Sequence, residues 1–185
     1  MKIIKYPGRE EWSSLIKRPA LDVTTLFDTV RTVLDEVREQ GDTAVKAYEE
    51  KFDKVLLSSL QVSEEEMREA DALVAEDLKQ AIRTAKANIE KFHASQRFEG
   101  KKVENTPGVT CWQKAVAIEK VGLYIPGGTA PLFSTVLMLA VPARIAGCKE
   151  IVLCTPPNRE GKVHPAILFA AEVAGVSKIF KAGGI

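Results

Sequence analysis

The chain has 185 residues, of which 45% are hydrophobic and 28% charged, so it can bury the core of one domain or of two small ones. Its 26 lysines and arginines nearly balance 25 aspartates and glutamates, and a net charge of +1 gives no electrostatic argument for nucleic acid or an anionic membrane as partner. A small-molecule ligand or a protein partner is the better expectation.

The N-terminus and the cysteines indicate a cytoplasmic protein. Charged residues and Pro7 interrupt the start before any apolar run of signal-peptide length, and no uncharged apolar run reaches roughly 18 residues. Cys111, Cys148 and Cys154 are an odd number without CxxC spacing, which argues against a disulfide framework and a zinc knuckle. We expect them to be small buried or half-buried residues in a reducing compartment.

The first half of the chain has the periodicity of helices. Before Gly41, which stands where a left-handed cap would end a helix, apolar residues recur at intervals of three and four and form one stripe. The stripe consists of Val23, Leu26, Phe27, Val30, Val33, Leu34 and Val37. Asp42 is a candidate N-cap for a second, shorter helix, in which Val45, Tyr48 and Phe52 share a face.

Two further helices are predicted after a loop. Ser63 and Glu66 have the spacing of a capping box at the start of the third helix. The fourth spans roughly residues 75–96. Its predicted inner face is Leu78, Ile82, Ala85, Ile89 and Phe92. Residues 20–96 therefore form a predicted helical unit of about four helices.

The segment between the two halves of the chain carries the breakers Gly100, Pro107 and Gly108 with β-branched residues around them, which predicts a hairpin or two short strands. Beyond it, "VGLYI", "STVLMLAVPARIAG", "EIVLCT", "HPAILFAAEVAG" and "KIFKAGG" alternate as strand, helix, strand, helix, strand. Crossovers of this length predict a parallel sheet. Three strands are few for an open sheet, so we expect the chain to be the front part of something longer.

The predicted fold class is therefore α/β. A mainly helical N-terminal region would cover residues 1–98 and short linking strands residues 99–119. An incomplete Rossmann-like parallel sheet, truncated at its C-terminal end, would cover residues 120–185.

The turn after the first parallel strand is the best candidate for ligand contact. Ligands of open α/β sheets bind at the carboxyl ends of the strands, where Gly127 and Gly128 would let a ligand approach the backbone and Pro126 fixes the entering chain direction. A merely tight turn is an equally good interpretation, since the sequence matches neither GxGxxG nor a P-loop. Tyr124 would pack its ring against a nucleotide base or ribose, or it would be a core tyrosine whose hydroxyl reaches solvent.

Other polar residues favour structural interpretations. Ser134 and Thr135 lie where the next helix should begin, and capping is favoured over substrate contact. His93 falls near a helix C-terminus and His164 in an ordinary loop before a helix. No spacing typical of a zinc site occurs, and the clustered carboxylates are typical of solvated helix faces.

Several motifs together resemble a known family. These are "GVTCWQK", "VGLYIPGGTAPLFSTVLMLAVPARIAGCKEIVLCTPP", the terminal "AGG", "DTAVKAYEEKFDK", "NIEKFH" and the "RPA" near the N-terminus. They are similar to the front part of histidinol dehydrogenase, a zinc- and NAD-dependent family of histidine biosynthesis, and the resemblance covers essentially all 185 residues. It implies a homodimeric enzyme that oxidises L-histidinol, through the aldehyde, to L-histidine in two NAD-dependent steps.

The resemblance assigns few residues of this chain. It implies that Tyr124 contacts NAD, that Pro126 lines the same cleft, and that Ser134 lies near the active cleft as a weak substrate candidate. In the family an Ala-Gln pair follows the terminal Gly-Gly, and its glutamine contacts NAD; here Ile185 takes the alanine position. A later NAD-contacting asparagine, the Glu-His proton-transfer pair and the Gln, His, Asp and His zinc ligands, one of them from a second subunit, are also missing.

We therefore expect the isolated chain to be inactive, because the groups that polarise and deprotonate the alcohol are absent from it. The alternative is a non-catalytic binding module whose exposed last strand and cut apolar surface need a partner. Coding sequence beyond Ile185 that supplied Ala-Gln and the Glu-His pair would favour the enzyme, whereas a natural stop codon would favour the module. A thiol-dependent aldehyde dehydrogenase using Cys148 or Cys154 is the third and least favoured interpretation.

Overall fold

The computed structural model describes residues 3–18, 23–128 and 130–184. Ile185 and most of the "RPA" triplet therefore lie outside the described residues. The α-helices described are α1 (Trp12–Leu15), α2 (Phe27–Gln40), α3 (Asp42–Tyr48), α4 (Glu64–Leu73), α5 (Glu76–Ala94), α6 (Phe133–Ala146) and α7 (Pro165–Ala174). The strands described are β1 (Lys102–Thr106), β2 (Val109–Trp112), β3 (Lys120–Tyr124), β4 (Glu150–Thr155) and β5 (Lys178–Lys181).

The second half of the chain forms a parallel sheet in the order β3-β4-β5, with α6 and α7 as crossovers, which confirms the predicted α/β class. Side chains alternate across this sheet because successive residues of a strand point to opposite faces. One face is buried: Leu123, Leu153 and Ile179 are register neighbours across the three strands, and both crossover helices pack with them into the core.

The opposite face of the sheet is more open. Tyr124, Cys154 and Phe180 are register neighbours on it at the carboxyl end of the strands. Tyr124 is 44% exposed, and the other two are partly buried. A ring on this face is therefore accessible from solvent while its backbone stays fixed in the sheet.

The helical region shares one core with the sheet. Helix α5 packs against α6 and α7, and α4 packs against α7. Ile82 of α5, which is 1% exposed, lies in the same buried cluster as Leu153 of β4. The predicted boundaries at residues 98 and 119 stay a prediction, but burial of this cluster couples the two regions energetically.

The outer edge of β5 is covered, which corrects the prediction of an exposed last strand. Val62 N donates to Ile179 O at 2.9 Å, and Lys181 N donates to Leu60 O at 2.7 Å. Residues 60–62 thus run antiparallel along β5, with Gln61 bridged to Phe180. Within the described part of the chain, β3 is the edge strand without such a cover, and β1 and β2 form the predicted antiparallel hairpin separately.

Two predicted helix faces differ from the structure. Five residues of the apolar stripe predicted before Gly41 are exposed, whereas Val33 is buried. The exposed five are Val23, Leu26, Phe27, Val30 and Leu34. Phe92 is also exposed, although Ile82 and Ile89 of the same predicted face pack into the core. The sequence periodicity therefore gives the direction of these faces but not what covers them.

The predicted helix caps are partly confirmed. Ser63 and Glu66 form the predicted capping box, with Glu66 N donating to Ser63 Oγ at 3.2 Å and Ser63 N donating to Glu66 Oε2 at 2.9 Å. Asp42 is not the N-cap of α3. The Gly41 carbonyl already accepts from the N–H groups of Ala44 and Val45, so Asp42 lies within the first turn.

None of the described helices is both long and apolar enough to cross a membrane.

A buried ion pair joins α4 to the end of β5. Lys181 is only 7% exposed, and its Nζ lies 2.5 Å from Glu66 Oε1. Burial raises the pKa of the Glu66 carboxyl, but hydrogen bonds from Lys181 and from the Ser63 backbone outweigh it, so this pKa lies below its ordinary value of 4.5. The stabilisation is therefore present above that ordinary value and is lost as pH falls through the lower pKa of the folded state.

Glu66→Gln should lower the free energy of unfolding by about 3 kcal/mol, because it leaves the buried Lys181 ammonium without an anion. Lys181→Met should cost less, since Glu66 keeps its hydrogen bond from Ser63 N and is one-fifth exposed. Urea unfolding at neutral pH measures both changes. The control is Glu65→Gln, which removes an exposed ion pair with Arg68 and should cost less than about 1 kcal/mol. If Glu66→Gln and Glu65→Gln lowered the free energy of unfolding equally, the stabilising role of the buried Glu66–Lys181 pair would be contradicted.

Candidate functional site

The carboxyl ends of β3 and β5 converge at Tyr124. The Tyr124 ring lies on the open sheet face, and its hydroxyl lies against Gly184, which follows β5. A Cβ added to Gly184 would lie 2.7 Å from Tyr124 Oη, so the backbone approaches the hydroxyl as only glycine permits. The chain therefore brings the predicted cofactor contact, Tyr124, against the Gly183-Gly184 backbone that ends the described chain.

Two carboxylates from the helical region complete this end of the sheet. They belong to a π-helical turn, Glu49–Asp53, that follows α3. Glu49 Oε1 accepts a hydrogen bond from Gly183 N at 2.6 Å, and a Cβ added to Gly183 would lie 2.2 Å from Asp53 Oδ2. Neither carboxylate was singled out by the sequence, because the turn that pairs them with Gly183 leaves no local spacing signal.

The electrostatic environment keeps the hydroxyl and the thiol at this end of the sheet protonated. Burial raises the pKa of the Tyr124 hydroxyl, the Gly184 backbone opposes that rise, and the negative charges of Asp53 and Glu49 add to it. Burial also raises the pKa of the Cys154 thiol. A protonated thiol is a poor nucleophile, which argues against the thiol-dependent interpretation for Cys154.

A cavity of about 350 Å³ lies between the loops that follow β3 and β4. Pro126, Gly127 and Gly128 line one side, and Asn158 and His164 lie among the residues of the other. Tyr124 is not among the described residues that line it, so the structure brings Pro126 to this cavity and Tyr124 to the Gly184 side. The two surfaces flank the same strand end.

His164 has a role that its loop position did not indicate. It is the N-cap of α7, and its Nδ1 accepts a hydrogen bond from Ala166 N at 3.2 Å. Pro165 follows at the first helical position, where its fixed φ suits a helix start. The His-Pro pair was the available sequence signal, since a polar side chain before an N1 proline is typical of a helix N-terminus.

The hydroxyls after the double glycine do not cap α6, which corrects the predicted capping role. The Leu132 carbonyl already accepts from Thr135 N at 3.0 Å, and the helix begins at Phe133. Ser134 and Thr135 therefore lie inside the first turn, and the Ser134 side chain is exposed. An exposed hydroxyl in this position is free of a capping role and stays available as a substrate-contact candidate.

The larger cavity and the remaining candidates lie elsewhere. A cavity of about 660 Å³ is lined by His93, Ile118 and Cys148 among others, which places it near the residues that precede β3 and β4. His93 Nδ1 lies 2.9 Å from Gln96 Oε1 at the end of α5, in the predicted structural position. Cys111 is exposed in the hairpin, so the prediction of buried or half-buried cysteines is wrong for this residue.

Comparisons with known proteins match nearly the whole chain, including the residues of this candidate site. The family model described as histidinol dehydrogenase matches residues 16–185. The chain belongs to the histidinol dehydrogenase family. The enzymes of this family are oxidoreductases.

Similar proteins extend well beyond this chain. A histidinol dehydrogenase of Bacteroides thetaiotaomicron is 69% identical over 185 residues, which are 100% of this chain and 43% of that relative. One from Shigella boydii is 47% identical over 95% of this chain and 40% of its own length. The crystal structure of histidinol dehydrogenase from Elizabethkingia anophelis superposes with a TM-score of 0.92 at 50% identity, covering 96% of this chain and 41% of that one. The chain thus spans less than half of these histidinol dehydrogenases.

The described residues contain no group of three or more His, Cys, Asp or Glu side chains that could hold a metal ion. A zinc site of the kind that the resemblance implies is therefore not built from the described part of this chain.

The two glycines of the turn should respond differently to alanine. A Cβ added to Gly127 would lie 2.6 Å from Pro156 Cγ in a rigid ring, whereas one added to Gly128 meets nothing within 4 Å. Gly127→Ala should therefore lower the free energy of unfolding by about 1–3 kcal/mol, and the matched Gly128→Ala by less than about 0.5 kcal/mol. Urea denaturation measures both. A loss for Gly128→Ala as large as for Gly127→Ala would contradict the described packing of the turn.

Proposed function

We propose that this chain supplies the helical region and part of the NAD-binding domain of a zinc- and NAD-dependent histidinol dehydrogenase. The full-length enzyme would be a cytoplasmic homodimer that oxidises L-histidinol, through L-histidinal, to L-histidine. The observation that carries the proposal is the convergence of Tyr124 and the Gly183-Gly184 backbone at one end of the sheet, in a chain 69% identical to a histidinol dehydrogenase.

The described residues fit a nucleotide cofactor at this strand end. Tyr124 offers a half-exposed aromatic ring on which a base or nicotinamide ring can pack. The exposed Gly127 and Gly128 allow close approach to the backbone beside a cavity of about 350 Å³. Pro126 lines that cavity, and the exposed Ser134 at the start of α6 is the weaker candidate for contact with the substrate.

The role of this chain would be to bind and orient the cofactor. NAD, when bound, supplies the hydride acceptor. Tyr124 would hold one face of the cofactor, and its hydroxyl, kept protonated mainly by burial, would add no charge to the site. Zinc ligands and the proton-transfer pair would come from segments that the longer relatives have in addition. The isolated chain would then bind NAD weakly and oxidise nothing.

Titration with NAD tests the cofactor assignment on the 185-residue chain itself. Backbone amide resonances of Tyr124 and Gly127 should shift with a Kd of about 1 mM or weaker, because only part of the cleft is present. Tyr124→Ala should abolish the shift at Gly127, and Tyr124→Phe should keep most of it, since the ring supplies the contact.

The matched control is Tyr6→Ala, which removes a fully exposed tyrosine distant in sequence from the site and should leave the titration unchanged. The absence of any amide shift at millimolar NAD would overturn the cofactor assignment for this chain. If Tyr6→Ala reduced the NAD-induced amide shifts as much as Tyr124→Ala does, the shifts would not report on the proposed site.

A further inference from the structure

The buried carboxyl of Glu49 has no role in the cofactor contacts described so far. Glu49 is 3% exposed, and its Oε1 accepts the hydrogen bond from Gly183 N. Its other oxygen, Oε2, is the buried side-chain atom without a hydrogen-bond partner in the described part of the chain. An unsatisfied buried oxygen costs free energy, so its position needs a physical explanation.

The backbone conformation around Glu49 places its carboxyl against the residues that follow β5. The chain widens into the π-helical turn Glu49–Asp53 and leaves it through Lys54, which has a left-handed φ of 59°. Val55 N closes the turn on Glu49 O at 3.3 Å. π-helical turns are rare and occur frequently at functional sites. Here the turn directs two acids, Glu49 and Asp53, at the same glycine, Gly183.

The charges around Glu49 favour its neutral form. Burial raises the pKa of this carboxyl, the Gly183 N–H lowers it, and the charge of Asp53 raises it again, leaving it above its ordinary value of 4.5. Among the described residues, the Tyr124 hydroxyl interacts with Glu49, Asp53 and the Cys154 thiol, and both the hydroxyl and the thiol are protonated at neutral pH. The nearby cation of Lys181 is engaged by Glu66 and is not directed at Glu49.

Protonation of Glu49 lowers the cost of burying its unpartnered oxygen, because the carboxyl then carries no charge. A protonated carboxyl can donate a hydrogen bond, and the Asp53 carboxylate, whose hydrogen bond and charge raise the pKa of Glu49, can accept it. The neutral acid then makes two useful contacts, accepting from Gly183 N through Oε1 and donating to the Asp53 carboxylate. The ionised form would bury a second negative charge beside Asp53 with no donor at Oε2.

We propose that Glu49 is a positioning residue of the cofactor site, which as a neutral carboxylic acid holds Gly183 and Gly184 against Tyr124 and on ionisation releases that turn. This inference rests on the proposed function for its consequence in cofactor binding. The turn lies against Tyr124, the proposed cofactor contact, so its release would weaken binding. Because the group is an acid whose pKa is raised on folding, its stabilisation is complete below pH 4.5 and is lost as pH rises through the folded-state pKa.

The test is a pH titration by NMR of the 185-residue chain, following the Glu49 side-chain carboxyl and the Gly183 and Gly184 amides. We expect the carboxyl and both amides to titrate together with a midpoint above 4.5. Glu49→Gln should leave both amides independent of pH and near their acidic wild-type positions. Asp53→Asn should lower the midpoint, because it removes the like charge.

The control variant is Glu50→Gln, which neutralises the exposed neighbour of Glu49 in the same turn and should leave the Gly183 titration unchanged. A Glu49 midpoint at or below 4.5, or Gly183 and Gly184 amides that do not follow it, would overturn the inference. So would a Gly183 titration that persists in Glu49→Gln.

A second readout links the turn to the cofactor. The NAD-induced shift at Tyr124 should weaken as pH rises through the Glu49 midpoint in the wild-type chain and should not depend on this midpoint in Glu49→Gln. The same pH dependence in both proteins would overturn the positioning role. If the amides titrate as expected but NAD produces no shift at any pH, the coupling of Glu49 to the turn is supported and the proposed function is the part that fails.

Discussion

The antiparallel pairing of residues 60–62 with β5 is the constraint on which the site depends. The acids Glu49 and Asp53 belong to the helical region, whereas Tyr124 and Gly183 belong to the sheet. Two backbone hydrogen bonds, from Val62 N to Ile179 O and from Lys181 N to Leu60 O, fix one region against the other. The buried Lys181–Glu66 pair extends the same junction into α4. Without this alignment, the π-helical turn would not reach the end of β5.

Much of the fold could be predicted from the sequence because its determinants are local. The alternation of short apolar runs with apolar helices predicted a parallel sheet, and the Ser63–Glu66 spacing predicted the start of α4. The glycines at the end of β3 were placed correctly at the carboxyl edge of the sheet. These features depend on neighbours within a few residues, where propensity and periodicity carry information.

Features that depend on distant parts of the chain were not predicted. The Glu49–Gly183 hydrogen bond spans 134 residues, and the cover of β5 comes from a loop. The exposure of Phe27 and Leu34 on α2 likewise depends on what packs there, which periodicity cannot report. Ser134 failed as a cap for a different reason: α6 begins one residue before it, and helix boundaries are the least certain part of a sequence-based assignment.

The most direct test of the account is the activity of this chain when it is joined to the segment that its relatives have in addition. Residues 1–184 would be fused to the part of the Bacteroides thetaiotaomicron histidinol dehydrogenase that follows the region matched by this chain, and NADH formation from L-histidinol would be measured with zinc present. The account predicts NADH from the fusion and none from the 185-residue chain, with Tyr124→Ala raising the KM for NAD by about tenfold in the fusion. NADH from the 185-residue chain alone, or an unchanged KM in the Tyr124→Ala fusion, would contradict it.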